Sequence, residues 1–281
     1  MALFSLLIAV LIERLKFIPK FMQLDSMFAW YRAHFFTEDL LRSKSGIWLA
    51  LLFPALSVLV LQWVISGWLF GLPSLLLWTV IAALCLTHQA VREKFKQYMQ
   101  AACRGDLEAC YLHAKALDYQ TCLDSVSAAE LGARVGQLAA WLNYRYYGAI
   151  AFYLIILGPA GVMFYCTARY FADLEEETPL PLPPNLMFAL DWLPSRVVSL
   201  GYALSGHFAS AFGRWRELAF KWDSMPNRIV AEVALAAEAL PERSGAPVCV
   251  RSTLALLALS KRNFILILTA LAILTIFGLV Q

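Results

Sequence analysis

Two apolar runs, residues 47–66 and 68–87, carry no formal charge and are divided only by Gly67. Each has about the 20 residues that a helix rising ~1.5 Å per residue needs to cross a ~30 Å hydrocarbon core. A chain with this pair is an integral membrane protein, and its expected class is all-α and polytopic, because only helices and closed barrels satisfy their backbone groups inside lipid. The remainder agrees: 60% of the 281 residues are hydrophobic and 15% are charged, against roughly 25% charged in soluble proteins. The net charge of +3 is small and the basic residues are scattered, so no nucleic-acid partner is expected. The lipid bilayer is the partner that composition implies.

Charge placement sets an expected topology. Segment 1–46 carries Arg14, Lys16, Lys20, Arg32, Arg42 and Lys44, and the turn at Ser66-Gly67 carries no charge, which puts the first segment in the cytoplasm and the 47–87 hairpin's turn outside. Residues 1–12 lack the basic start and cleavage site of a signal peptide and are too short to span straight. They are expected to lie at the interface, to tilt between other helices or to enter part-way. The stretch 88–147 returns to the cytoplasm as helices. Within it 106–118 is rich in helix formers, and Ser127 with Glu130 forms a capping box: the serine hydroxyl accepts an orphan N–H and Glu130 reaches back to the cap. Leu131, Val135, Leu138, Trp141 and Leu142 then recur at helical spacing as one buried stripe.

The third apolar segment, 148–168, contains Gly158-Pro159, where a helix should kink or break. It is either a kinked span, with the acidic, proline-rich stretch 173–184 outside, or a re-entrant hairpin, with that stretch inside. Residues 186–207 are apolar but hold Asp191, Arg196 and a central Pro194; they read as a protein-lined returning segment or as two interfacial helices joined at Leu193-Pro194. A cytoplasmic helical region, 213–262, includes a helix from Asn227 that stops at Pro241, and 263–281 holds a C-terminal span preceded by cytoplasmic Lys261-Arg262.

Motifs for chemistry are few. The six cysteines form no CxxC pair, and Cys103, Cys110 and Cys122 with His113 match no zinc spacing, so no metal site is expected. Neither a phosphate-binding glycine loop nor a GxSxG or HExxH motif occurs. What remains are polar residues placed where lipid makes them expensive. Glu13 and Arg14 close the first apolar segment and Asp25 follows; they either line a site at the membrane edge, able to hold a metal-nucleotide such as ATP with Mg, or snorkel as helix-end charges. Asn143 and Arg145 stand among tyrosines before the third segment, as binders of an anionic ligand or members of an aromatic belt. Asp191 and Arg196 pair with each other or with other helices, as a site or as a structural lock. His207 follows Gly206 as a further candidate.

These same residues resemble the AmpE family. Glu13-Arg14-Leu15, Gln23-Leu24-Asp25, the run from Trp141 to Tyr147, Leu190-Asp191-Trp192-Leu193-Pro194-Ser195-Arg196 and Gly206-His207 carry the resemblance over essentially the whole chain. It implies a multi-pass protein of the bacterial inner (cytoplasmic) membrane, a regulator or sensor in β-lactamase induction and hence in antibiotic resistance. AmpD or another cell-wall-recycling component is the implied partner, with a homo-oligomer left open. The family in turn resembles the CobD/CbiB membrane enzymes of cobalamin synthesis, which form an amide at the expense of ATP. That implies an enzymatic alternative, but the Asp-Pro and His-Pro of those enzymes are replaced here by Glu13-Arg14 and Gln23-Leu24, and their Asn-x-x-Asp-Gly by Asn143-Tyr144-Arg145, so the regulatory reading leads.

Overall fold

The computed structural model describes residues 1–15, 18–117, 127–175, 179–238 and 248–279. Among them the regular structure is entirely helical: α1 (Ala2–Leu15), α2 (Leu24–Phe35), α3 (Glu38–Leu41), α4 (Lys44–Ile65), α5 (Leu72–Leu86), α6 (Gln89–Arg104), α7 (Leu107–Leu117), α8 (Ala128–Asn143), α9 (Ala149–Glu175), α10 (Leu186–Ser205), α11 (Phe208–Ala219), α12 (Pro226–Ala237) and α13 (Val248–Ile276). Four stretches are long and apolar enough to cross a membrane by length and composition: Lys44–Ile65, Leu72–Arg104, Glu130–Glu175 and Val250–Ile276. The protein is a polytopic helical membrane protein.

The chain divides into two compact units, the first made of residues 1–88, 146–191 and 268–281, the second of 89–145 and 192–267. In the first unit α9 is the central helix, packed by α1, α2, α4 and α5. α1 packs mainly on α5, and buries Ala2, Ser5, Leu6, Ala9 and Glu13, steps of three and four that make one stripe. α4 and α9 close on Ile47, Ala50, Leu51, Ala168 and Phe171.

α9 breaks where Gly158-Pro159 predicts. Gly158 takes φ 68° and ψ −162°, backbone that only glycine adopts readily, and a β-carbon there would stand 3.1 Å from the Trp78 ring. The other two mid-helix prolines behave differently. Pro54 lies inside α4 and Pro194 inside α10, and each lacks the N–H that would serve the carbonyl four residues earlier. In both cases a tyrosine serves it instead. The Tyr31 hydroxyl donates to Ala50 O at 3.3 Å, and the Tyr153 hydroxyl to Leu190 O at 2.7 Å. A neighbouring hydroxyl that re-satisfies a freed carbonyl is what lets proline persist in a helix away from water. For this reason α10 is one helix through Pro194, not two joined there. Burial pushes the Tyr31 hydroxyl up to about 12, as expected of a phenol held as a donor in apolar surroundings.

In the second unit α8 contacts α7 and α12, α6 packs on α7, and α11 on α12. Tyr98, Ala101, Ala102, Cys110, Ala114, Leu131, Val135 and Val250 form a core. The Ser127 hydroxyl accepts from Glu130 N at 3.4 Å, the expected serine half of the box. The glutamate half differs: the Glu130 carboxylate takes Arg134 Nη2 at 2.7 Å, one turn on, where an i,i+4 ion pair is geometrically easy. The expected stripe also rotates. Leu131 and Val135 are buried, but Leu138, Trp141 and Leu142 are only partly so. Gly132, Gly136, Ala139 and Ala140 take the inner face instead. A β-carbon on Gly136 would lie 2.5 Å from Leu256 Cδ1 and 3.2 Å from Ser252 O, so small residues admit α13 at backbone range, as they do in membrane helix pairs.

Other boundaries also differ from the sequence expectation. The second apolar run starts its α-helix only at Leu72, after a 3₁₀ turn over Trp68–Gly71; Phe70 and Gly71 within that turn and Gly67 just before it all have positive φ. α9 continues to Glu175, so Asp173 ends a helix and does not begin a loop. α13 runs unbroken from Val248 through Lys261-Arg262. Cys122, Lys16 and the proposed stop at Pro241 lie outside the described residues.

Candidate functional site

In the first unit the polar side chains gather on α9. The chain enters α9 through a π-helical turn, Tyr144–Gly148, a wide turn that recurs near functional sites. Tyr146 lies within it, and the Arg169 guanidinium stands over its ring, 4.3 Å from the centroid. His88 stacks on that ring, with centroids 4.5 Å apart and planes 21° from parallel, and meets Tyr147 edge-on at 5.1 Å. Its Nδ1 lies 2.7 Å from Leu86 O. Arg169 is 2% exposed. A guanidinium desolvated on an aromatic face gains about 2 kcal/mol or more from the ring, and Arg169 also interacts with Asp173 and with Tyr165.

One turn earlier on α9, the Tyr165 hydroxyl donates to Asp191 Oδ1 at 2.9 Å, and its ring stacks on Tyr153 at 5.0 Å. The next residue, Cys166, shares a hydrogen bond with Cys85 of α5 and lies within electrostatic reach of Asp25. Asp191 and Asp25, two of the sequence candidates, thus meet α9 at Tyr165 and Cys166, within about one turn of Arg169. Glu13 belongs to the same unit and is buried on α1, while Arg14 is exposed.

Asn143, Arg145, Arg196 and His207 belong to the second unit. Asn143 closes α8 and is half-buried, as is Arg145. Arg196 is committed to backbone: Nε donates to Ala219 O at 2.9 Å, Nη1 to Trp192 O at 2.7 Å and Nη2 to Lys221 O at 3.1 Å, with the guanidinium 4.0 Å over the Trp192 ring. It closes the C-terminal end of α11, where carbonyls lack partners and a cation is favoured. His207 is an exposed residue in the turn before α11, and its backbone N–H donates to Ala237 O at 2.7 Å. Gly206 beside it is required by that approach, since a β-carbon would fall 2.3 Å from the same oxygen. Arg196 and His207 therefore serve opposite ends of a helix of 12 residues, roughly 18 Å apart.

A second charged cluster lines an open depression of about 570 Å³ between α11 and α12. Arg214 pairs with Glu217 at 2.6 Å and with Glu232, and Arg228 pairs with Glu232 at 2.6 Å. Burial alone would raise the Glu232 carboxyl, but hydrogen bonds from Arg228 and Arg214 hold it below the usual range, and Arg214 does the same for Glu217.

Among the described residues no three His, Cys, Asp or Glu side chains come together as a metal site. The arrangement on α9 is suited to binding: a buried cation, ring faces and hydrogen-bonding hydroxyls offer recognition of an anionic or polar group. Sequence reasoning missed Arg169, His88, Tyr153 and Tyr165. The available signal was Arg169 with Asp173 four residues on, at the end of a segment otherwise free of charge.

No solved structure matches the chain. It is 27% identical to Protein AmpE of Shigella flexneri, over 99% of this chain and 99% of that protein. The family model described as regulatory signalling modulator protein AmpE matches residues 1–281. A whole-length match on a chain of membrane helices places this protein in the AmpE family, as a regulatory protein of the membrane.

Proposed function

We propose that the protein acts in the bacterial inner membrane as a sensor in β-lactamase induction and cell-wall-recycling signalling, binding an anionic ligand at the polar face of α9. The observation that carries this reading is Arg169, buried over the Tyr146 ring in a helix otherwise built for lipid or core. An ionisable residue in such a segment marks a functional site by default. An anionic muropeptide, or a nucleotide with Mg, fits the guanidinium, and AmpD or another recycling component is the proposed partner that reads the bound state. Asp25 and Asp191 border the site, and both are proposed to orient the ligand. The enzymatic alternative, ATP-dependent amide formation on a CobD/CbiB-like scaffold, has no further observation in its favour.

The test is β-lactamase induction by a β-lactam in cells carrying Arg169→Met or Arg169→Lys, with membrane levels of the protein measured in parallel. The expected result is an induction ratio changed at least fivefold in Arg169→Met at an unchanged protein level, with partial retention in Arg169→Lys. Unchanged induction in Arg169→Met overturns the assignment. Binding of an anhydro-muropeptide to the protein in nanodiscs, lost in the same variant, separates ligand recognition from signalling.

A further inference from the structure

The second unit exposes an apolar surface that its own core does not use. On α10, Leu193, Val197 and Leu204 fall at steps of four and seven, so they share one side of the helix, and each is about half exposed or more. Beside them α11 turns a ladder of rings outward. Phe208 stacks on Phe212 at 5.1 Å, Phe212 on Trp215 at 5.7 Å, and Trp215 meets Phe220 at 6.1 Å. The Trp215 indole N–H donates to Arg196 O at 2.9 Å, which ties this ladder to α10. Phe220 and Trp222, just past the helix end, are 79% and 71% exposed.

Three observations identify what covers this surface. The first is composition: phenylalanine and tryptophan on a short amphipathic helix are the residues that settle at a headgroup boundary. The second is charge. At 100° per residue Arg216 lies next to the Phe208–Phe212–Trp215 side of α11 and Glu217 lies across from it, while Lys221 stands between Phe220 and Trp222, is 62% exposed and makes a surface ion pair with Glu217 at 3.6 Å, the kind of exposed pair that contributes little and gives way to another anion. Behind them Arg196 lies over Trp192, whose ring meets that of Trp222 tilted by 48°, with centroids 4.5 Å apart. Cations interleaved with exposed rings complement lipid phosphates. The third is continuity: the same unit contains the first part of α13, itself apolar and long enough to cross a membrane, so a bilayer lies alongside this unit.

We propose that the outer side of α10 and α11, with the Phe220–Met225 loop, is an interfacial anchor that seats the second unit on an anionic phospholipid surface. The apolar stripe of α10 and the aromatic ladder enter the acyl boundary, and Lys221 and Arg216 hold lipid phosphates. α10 then lies along the membrane and does not cross it, which accounts for a 20-residue helix that is absent from the span-length apolar set. This proposal is independent of the ligand site on α9.

Photocrosslinking tests it. Benzoylphenylalanine is placed singly at Val197, Phe208 and Trp222 of the full chain, and at Gly213 as control, which is on the polar side of α11 and where an added β-carbon would meet no atom within 4 Å. The protein is reconstituted in phosphatidylethanolamine–phosphatidylglycerol vesicles carrying radiolabelled phospholipid and irradiated. The expected result is lipid labelling at 197, 208 and 222 at least fivefold above that at 213. Equal labelling at all four positions overturns the proposal, as does a crosslinked dimer or a crosslink to another protein in native membranes in place of lipid. The charged part is read separately: Lys221→Gln with Arg216→Gln should lower labelling at 222 severalfold in vesicles containing phosphatidylglycerol and leave it unchanged in phosphatidylcholine. Labelling at 222 that ignores both substitutions refutes the anionic component.

Discussion

Removing the Tyr153 hydroxyl should destabilise the protein because of a proline 41 positions away in the chain. Pro194 cannot donate to Leu190 O, and the Tyr153 hydroxyl does so at 2.7 Å. Tyr153→Phe keeps the ring, which stacks on Tyr165, and strips only the donor. A buried carbonyl left unserved costs about 1–3 kcal/mol, and the bond is part-buried, so a loss of about 2 kcal/mol is expected. Pro194→Ala restores the helical N–H to Leu190 O and makes the tyrosine dispensable. In that background Tyr153→Phe should cost no more than about 0.5 kcal/mol, the range of a substitution that leaves no group unsatisfied, giving a coupling of about 1.5 kcal/mol in the double-mutant cycle. Reversible unfolding in mixed detergent and dodecyl sulfate micelles, followed by circular dichroism, reads all four proteins. Equal losses from Tyr153→Phe in the two backgrounds would refute the reasoning. The Tyr31–Ala50–Pro54 set provides the replicate, with a smaller effect because its bond is 3.3 Å.

Arg196→Met should cost about 3 kcal/mol in the same unfolding assay. One fully buried charge-assisted bond, to Ala219 O, accounts for most of this; the two part-buried bonds, to Trp192 O and Lys221 O, are partly replaced by water. A loss below about 1 kcal/mol would mean that Arg196 does not hold the end of α11 and is available for a ligand. Acid should loosen the α11–α12 pair. The Glu217 and Glu232 carboxyls are held below their ordinary values, so the folded form binds fewer protons than the unfolded one as pH falls past that ordinary value. The stability they add is complete above the ordinary carboxylate range and is lost as pH drops through the depressed values. Glu232→Gln should flatten that part of the stability–pH curve, and an unchanged slope would show that the pairs contribute nothing.

Elements whose cause is local were legible in the chain. The Ser127 cap, the start of α12 at Pro226 and the break at Gly158-Pro159 each depend on one or two residues and their backbone. What could not be read were targets supplied by distant residues. Glu130 had two partners within reach of its helix and took Arg134. Pro194 left one continuous segment and two joined helices both open, because the Tyr153 hydroxyl that rescues the carbonyl comes from another helix. Arg196 was legible as an expensive charge, but not as a ligand of Ala219 and Lys221 carbonyls. The inner face of α8 was legible at Leu131 and Val135 but not beyond them, because leucines mark burial by hydrophobicity, whereas Gly132 and Gly136 mark it by the close approach of α13.

The sequence by itself determined that this is a multi-pass helical membrane protein of the AmpE family, since crossing lipid is a property of a contiguous stretch and requires no partner. The tertiary structure alone decided which polar residues meet. It set Arg169 over the Tyr146 ring on which His88 stacks, brought Asp191 to Tyr165 and Asp25 within electrostatic reach of Cys166 on the same helix, and turned Arg196 and Gly206 to holding α11 and α12. A hydrogen bond or a stacked ring needs a donor and an acceptor within a few ångströms, and across 281 residues only the folded chain specifies which pairs come that close.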